Sequence, residues 1–124
     1  ETHSHITILY GIEESKPSEV FPKLEIEPIK FKLTGLSLFQ NEKYDVLKFS
    51  VDSPDLHRLN RQVREKIKYE NKYPKYIPHL TCAYLNPGMG EKYTNLQCKI
   101  FGKELKSNVF VFADPMSNKT YKRL

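Results

Sequence analysis

The sequence lacks the features of a membrane protein and of a disulfide-bonded secreted domain. No apolar run approaches the roughly 20 residues that a membrane-spanning helix needs, and no signal-peptide pattern opens the chain. The two cysteines, Cys82 and Cys98, are too few to form a disulfide framework. We therefore expect no membrane partner, and we expect free thiols, which favour a reducing compartment.

The sequence also lacks the motifs of metal-dependent hydrolases. It contains no H-E-x-x-H pattern and no cluster of acidic residues that would indicate a metal site. We therefore expect neither a metal ion nor another cofactor. The net charge of +5 favours an anionic partner, although general solubility would explain this charge equally well.

At 124 residues the chain can build one modest core, so we predict a single domain that spans residues 1–124. Hydrophobic alternation predicts strands at 3–10, 31–38, 47–51, 79–85, 96–101 and 105–112, with a short edge strand at the end. A slip in the alternation at Thr34-Gly35 predicts a β-bulge. A long helix is predicted over residues 53–69 with Ser53 as its N-cap, and a short helix near Val20 with Ser15 or Ser18 as its cap. Together these elements predict an α+β fold with a mainly antiparallel sheet.

Two copies of one short pattern stand out against this background: His5-Ile6-Thr7-Ile8-Leu9-Tyr10 and His79-Leu80-Thr81-Cys82-Ala83-Tyr84. Alternate side chains of a strand share a face, so each histidine is expected to lie beside the threonine two places on. The residues between them, Cys82 included, are expected to face the buried side. One such copy is commonplace in strands, whereas two copies with matching flanks are a specific signal.

This combination of side chains suits the cleavage of a phosphodiester bond. One group must take a proton from the attacking oxygen, and another must give a proton to the leaving oxygen. Histidine, with an unperturbed pKa of about 6.5, can do either near neutral pH. Threonine hydroxyls can donate to the charged phosphate oxygens. The sequence leaves open which histidine is the base.

The paired motifs resemble those of the 2H phosphoesterase superfamily, which is named for two His-x-Thr/Ser motifs, and their flanks look like those of phage-encoded members. The resemblance implies two pseudo-symmetric lobes with mainly antiparallel sheets around a central cleft and helices on the outside. It implies that His5 and His79 are catalytic and that Thr7 and Thr81 bind the substrate. The implied enzyme is a metal-independent phosphodiesterase, a hydrolase that cleaves a cyclic oligonucleotide, a 2′,5′-oligoadenylate or a 2′,3′-cyclic phosphate.

Three tyrosines are further candidates for contact with the substrate. Tyr10 and Tyr84 end the two motifs, but strand alternation turns both away from the histidine face, so packing is the alternative reading. Tyr76 lies in the loop before His79, where its ring could stack on a base or simply pack.

A second interpretation is a catalytically inactive nucleotide- or RNA-binding module of the same fold, which the intact histidines and threonines argue against. We expect a monomer whose partner is a nucleotide or oligonucleotide, with RNA as a further candidate. Its expected location is the cytoplasm, that of the host if a phage encodes it.

Overall fold

The computed structural model describes residues 5–124, and the chain in it divides into two compact units. Unit 1 contains residues 1–7, 31–52 and 77–104, of which the first segment is described from His5 onward. Unit 2 contains residues 8–30, 53–76 and 105–124. Both His-x-Thr motifs therefore belong to unit 1. The assignment of the whole chain to one domain stays a prediction.

The sheet of unit 1 is built on strands β1 (Ile29–Gln40), β2 (Asp45–Asp52) and β3 (His79–Leu85). β2 lies between β1 and β3 and pairs antiparallel with both. The side chain of Asn41 accepts hydrogen bonds from the backbone N–H groups of Lys43 and Tyr44, at 2.8 and 2.9 Å, which forms the turn between β1 and β2. The predicted strands at 31–38, 47–51 and 79–85 are therefore confirmed, and the first two form a hairpin.

The bulge predicted in β1 is confirmed as well. The register with β2 shifts between Leu33 and Gly35, which leaves Thr34 as the extra residue. The shift keeps the leucines on both sides of it on one face of the sheet. On that apolar face they lie opposite Val51, Phe49 and Leu47 of β2.

A second bulge, which the sequence analysis did not anticipate, lies in β3. Lys48 pairs with Thr81, but the next residue of β2, Leu47, pairs with Ala83, so Cys82 is the extra residue. Cys82 is exposed, and the prediction of a buried thiol was wrong because it assumed unbroken alternation. The bulge also changes the face on which Tyr84 lies.

The predicted strand at 3–10 is wrong in its extent. Among the described residues of that range, only Ile6 pairs with the sheet, through an isolated antiparallel bridge to Leu80. His3 and Ser4, at the start of the predicted strand, lie outside the described residues.

The long helix of unit 2 is confirmed as α1 (Pro54–Lys66). Ser53 is its N-cap, and its hydroxyl accepts a hydrogen bond of 3.1 Å from the backbone of Leu56. The carboxylate of Asp55 accepts hydrogen bonds from the Lys30 backbone and the Arg58 side chain, and these bonds lower its pKa. One side of the helix is buried through Leu56, Leu59, Asn60 and Val63.

The remaining elements correct two predictions. In place of a short capped helix near Val20, the chain forms two 3-10 turns, Pro17–Glu19 and Phe21–Lys23, without side-chain caps. The strand predicted at 96–101 was wrong. There, Leu96 donates to the Tyr93 carbonyl and Phe101 to the Cys98 carbonyl, so local turns occupy these backbone groups.

Three short strands complete the chain: β4 (Leu105–Ser107), β5 (Val109–Ala113) and β6 (Lys119–Arg123). β4 lies next to β1, whose first two residues also belong to unit 2. β5 and β6 form an antiparallel pair, which confirms the predicted edge strand at the end. Mainly antiparallel sheets with few helices confirm the α+β class. Within residues 5–124, no helix is both long and apolar enough to cross a lipid bilayer.

Candidate functional site

The two motifs meet where Ile6 pairs with Leu80. One residue to either side, this antiparallel register sets His5 across from Thr81 and Thr7 across from His79. Residues directly opposite one another have Cβ atoms about 5 Å apart, and diagonal neighbours lie about 7–8 Å apart. The two histidines thus occupy one diagonal of a small square, and the two threonines occupy the other.

These four residues lie on the opposite side of the sheet from its apolar face. Leu80 faces the same side as its partners Ile6 and Phe49, and residues adjacent to Leu80 face the other side. His79, Thr81 and Thr7 are half-buried and His5 is exposed, so solvent reaches this side. We call the part of this side around the two motifs the site face, and we define it by eight residues of unit 1: His5, Thr7, Gly35, Ser37, Lys48, Ser50, His79 and Thr81.

The ring of His79 is oriented by the backbone just before it. Its Nδ1 lies 3.2 Å from the carbonyl oxygen of Ile77. A carbonyl oxygen only accepts hydrogen bonds, so Nδ1 must carry the hydrogen in this contact. Nε2 is then the nitrogen of His79 that is available to exchange a proton with a ligand.

Four residues of the site face were not predicted from the sequence: Gly35 and Ser37 of β1, and Lys48 and Ser50 of β2. The two residues of β2 carry the larger share of its polar groups. Lys48 pairs with Thr81 and with Ser37 on its other side, and Ser50 pairs with His79 and with Gly35. The signal for both was present, because an apolar Leu47, Phe49 and Val51 place the residues between them on the polar side. What the alternation alone did not show is which strand lies beside them.

The bulge at Cys82 brings Tyr84 to the same side of the sheet. Tyr84 pairs with Val46, and Val46 shares its side of β2 with Lys48. The prediction that Tyr84 faces away from the histidines was therefore wrong. Its ring is 64% exposed and makes an edge contact with Tyr44, with ring centroids 5.1 Å apart.

The other two candidate tyrosines belong to unit 2. Tyr10 is exposed and packs against Tyr73, with centroids 6.0 Å apart. Tyr76 is half-buried and makes an edge contact of 5.3 Å with His57. Burial, with a smaller contribution from Tyr10, raises the pKa of the Tyr76 hydroxyl. The assignment of Tyr10 and Tyr76 to a substrate site stays a prediction.

Taken together, the site face offers two imidazoles, several hydroxyls and one ammonium group within a few residues of one another. Within residues 5–124, no group of three or more histidine, cysteine or acidic side chains is placed to hold a metal ion. Such a set of donors suits an anion with several oxygen acceptors.

Comparison with protein families gives a match over most of the chain. The family model described as the 2′-5′ RNA ligase superfamily matches residues 2–100, which include both motifs and the whole of β1, β2 and β3. No curated protein and no solved structure matches the chain.

Proposed function

The chain belongs to the 2′-5′ RNA ligase superfamily, the 2H phosphoesterases, and from this membership we propose that it is a metal-independent phosphodiesterase that cleaves nucleotide phosphodiester bonds. One observation carries the proposal: the bridge between Ile6 and Leu80 joins the two motifs within one unit. Because of that pairing, one phosphate can contact both imidazoles and both threonine hydroxyls at once.

In the proposed reaction, His5 and His79 divide the proton transfers. One neutral imidazole takes the proton of the attacking hydroxyl, which is either a ribose 2′-OH or water. As the new phosphorus–oxygen bond forms and the old one breaks, the other imidazole, protonated, gives its proton to the leaving oxygen. Each role is typically worth a rate factor of about a hundred to ten thousand. For His79 the transferring atom is Nε2, because the Ile77 carbonyl holds the hydrogen on Nδ1.

The two threonines complete the site by binding the phosphate itself. The attack adds negative charge to the non-bridging oxygens, and hydroxyl donors already in place stabilise that charge without reorganisation. Thr7 lies across from His79 and Thr81 across from His5, so each histidine has a hydroxyl on the facing strand.

Tyr84 supplies a surface for a base. A mostly exposed aromatic ring on the same side as the phosphate-binding residues can stack with any nucleobase. Its edge contact with Tyr44 holds the ring in place before the substrate arrives. The proposed substrates are therefore nucleotides: a cyclic oligonucleotide, a 2′,5′-oligoadenylate or a 2′,3′-cyclic phosphate end.

A substrate panel tests this function. The purified protein is incubated with chelator and with cyclic dinucleotides, 2′,5′-triadenylate and RNA ending in a 2′,3′-cyclic phosphate, and the products are separated by chromatography. RNA with a 2′,3′-cyclic phosphate and a 5′-hydroxyl is included because the same two imidazoles would also catalyse the reverse reaction, ligation.

We expect cleavage of at least one nucleotide substrate by the wild type and none above background by a His5→Ala/His79→Ala double variant. Stoichiometric binding without turnover, equal in the wild type and in that variant, would instead identify a nucleotide-binding module. Turnover that vanishes with chelator would contradict the metal-independent mechanism.

A further inference from the structure

The site face continues beyond the two motifs onto β2 and β1. The row that begins with His5 and Thr81 continues with Lys48 and then Ser37. The adjacent row, which begins with Thr7 and His79, continues with Ser50 and then Gly35. Neighbouring strands lie about 4.8 Å apart, so Lys48 is one strand spacing from Thr81 and about two from His5.

Lys48 is a half-buried cation on the site face. None of the ion pairs within residues 5–124 involves it. Partial burial of an unpaired charge is costly, and an anionic ligand would offset that cost. Both neighbours of Lys48 across the sheet, Thr81 and Ser37, carry hydroxyls, which are further donors for the same ligand.

There is also room for a ligand beside Lys48. Gly35 has no side chain on the site face, and a Cβ atom built there would have no atom within 4 Å. Ser50, the partner of Gly35 on β2, is half-buried and presents only a short side chain. The part of the site face on β1 and β2 is therefore both open and lined with donors.

The square of His5, Thr7, His79 and Thr81 already has enough positive charge for one diester phosphate. That phosphate carries a single negative charge, which the protonated histidine of the proposed mechanism balances. A second cation one strand further away fits a second phosphate better than the first. The distance between neighbouring phosphates along an oligonucleotide is about one to two times the spacing between neighbouring strands.

We propose that Lys48, with Ser37 and Ser50, forms a second phosphate subsite beside the reacting phosphate, and that the substrate is an oligonucleotide with at least two phosphates. This inference rests on the proposed function and narrows it. It favours a cyclic dinucleotide or a 2′,5′-linked oligoadenylate over a mononucleoside 2′,3′-cyclic phosphate. Lys48 acts in it by binding and positioning the substrate, not by proton transfer.

The test compares Lys48→Met on substrates with one phosphate and with two or more. For a cyclic dinucleotide or 2′,5′-triadenylate we expect kcat/KM to fall roughly ten- to a hundredfold, mostly through KM, because a hydrogen bond between charged groups is lost. For a nucleoside 2′,3′-cyclic monophosphate we expect a change of less than about threefold. Lys48→Arg should restore most of the loss.

Lys43→Met is the matched control. Lys43 also belongs to unit 1 and is exposed in the turn between β1 and β2, so this variant changes the net charge equally but leaves the site face intact. Equal losses on both kinds of substrate would overturn the proposal, because Lys48 would then act on the reacting phosphate. A folded Lys48→Met variant that loses no activity on either kind of substrate would overturn it too. So would a Lys43→Met variant whose activity losses equal those of Lys48→Met.

Binding separates this proposal from the proposed function. Calorimetric titration with a non-cleavable phosphorothioate dinucleotide that carries a 5′-phosphate needs no turnover. If the wild type has no activity on any substrate, the proposed function fails, and the titration still decides on the subsite. Weaker binding by folded Lys48→Met, but not by Lys43→Met, supports the subsite, and equal binding by all three proteins overturns it. If Lys48→Met does not fold by circular dichroism, Lys48→Gln takes its place.

Discussion

The segment His5–Tyr10 and strand β3 carry the same pattern but have different structures. β3 pairs with β2 along its whole length, from His79 opposite Ser50 to Leu85 opposite Asp45. In the first motif, Ile6 alone forms a β-bridge to the sheet, and the chain continues into unit 2 from Ile8 onward. Identical spacing of histidine, threonine and tyrosine therefore does not produce identical secondary structure.

The reason lies in the partners that the two backbones find. In unit 2, the side-chain amide of Asn60 donates to the carbonyl of Ile8 at 2.7 Å, and that of Asn71 donates to the carbonyl of Tyr10 at 3.0 Å. Gly11 follows with a φ of +80°, and its carbonyl accepts a hydrogen bond from the backbone N–H of Glu70 at 2.9 Å. Glu13 in turn donates to the carbonyl of Lys68 at 3.0 Å. These carbonyls have partners outside any strand ladder, so the segment stays ordered without being a strand.

The comparison shows what the motif itself requires. One bridge fixes the side of the sheet on which His5 and Thr7 lie, and this is the same side as that of His79 and Thr81. In β3, the bulge at Cys82 also sets the side on which Tyr84 lies. We expect the two histidines, and likewise the two threonines, to be of equal importance for activity, although their backbones differ in structure.

Replacing the histidines gives the largest expected effect and tests that equivalence. We predict that His5→Ala and His79→Ala each lower kcat about a hundredfold to ten-thousandfold. The double variant should lose much less than the product of the two losses, because the pair acts as a unit. Steady-state kinetics on the best substrate of the panel measure this, with circular dichroism as the folding control. Near-normal turnover by either folded single variant would contradict the assignment.

Thr7→Val and Thr81→Val have the next largest expected effect. Valine keeps the branched shape and removes the hydroxyl, so a lost donor to the phosphate should lower kcat by about a hundred- to a thousandfold in each variant. Ser107→Ala, in unit 2, removes a hydroxyl elsewhere and serves as the control. If Thr7→Val loses less activity than Thr81→Val by more than about tenfold, the bridged segment positions its threonine less well than the strand β3 does.

Gly11→Ala and Gly88→Ala compare how much the glycine that follows each motif contributes to the free energy of unfolding. A Cβ at Gly11 would overlap the carbonyl oxygen of Glu70, in addition to the strain of a positive φ. We expect a loss of about 2–4 kcal/mol in the free energy of unfolding, measured with urea. Gly88, in the loop after β3, is the matched control because its φ is +83° and a Cβ there meets no atom within 4 Å. Gly88→Ala should cost only the backbone strain, about 1–2 kcal/mol, and equal losses would refute the overlap.

Asn60→Ala gives the smallest expected effect and is the most local test. Asn60 is buried, and its loss would leave the carbonyl of Ile8 without this donor, at a cost of about 1–3 kcal/mol. Amide hydrogen exchange should accelerate around residues 8–12 and stay unchanged in β3. Uniform acceleration in both motifs would mean that Asn60 stabilises the whole protein rather than the first motif.

Much of the fold follows from the sequence where the causes are local. The helix begins at Pro54 because Ser53 caps it, and the bulge at Thr34 is visible as a slip in the leucine pattern. The strand predictions are wrong where hydrophobic alternation continues but the segment does not pair with a neighbouring strand. Leu96, Cys98 and Ile100 alternate like a strand, yet the backbone there closes turns on itself.

The sequence by itself determined which side chains are available for chemistry, the bounds of β3, the start of α1 and membership of the superfamily, because these depend on residue type and on neighbours a few positions away. The tertiary structure alone decided that the first motif joins the sheet through a bridge at Ile6, that Tyr84 shares the side of Thr81, and that Lys48 lies next to Thr81. Each of these depends on hydrogen bonds between residues that are far apart in the chain. Local pattern contains no information about which distant backbone group will supply the partner.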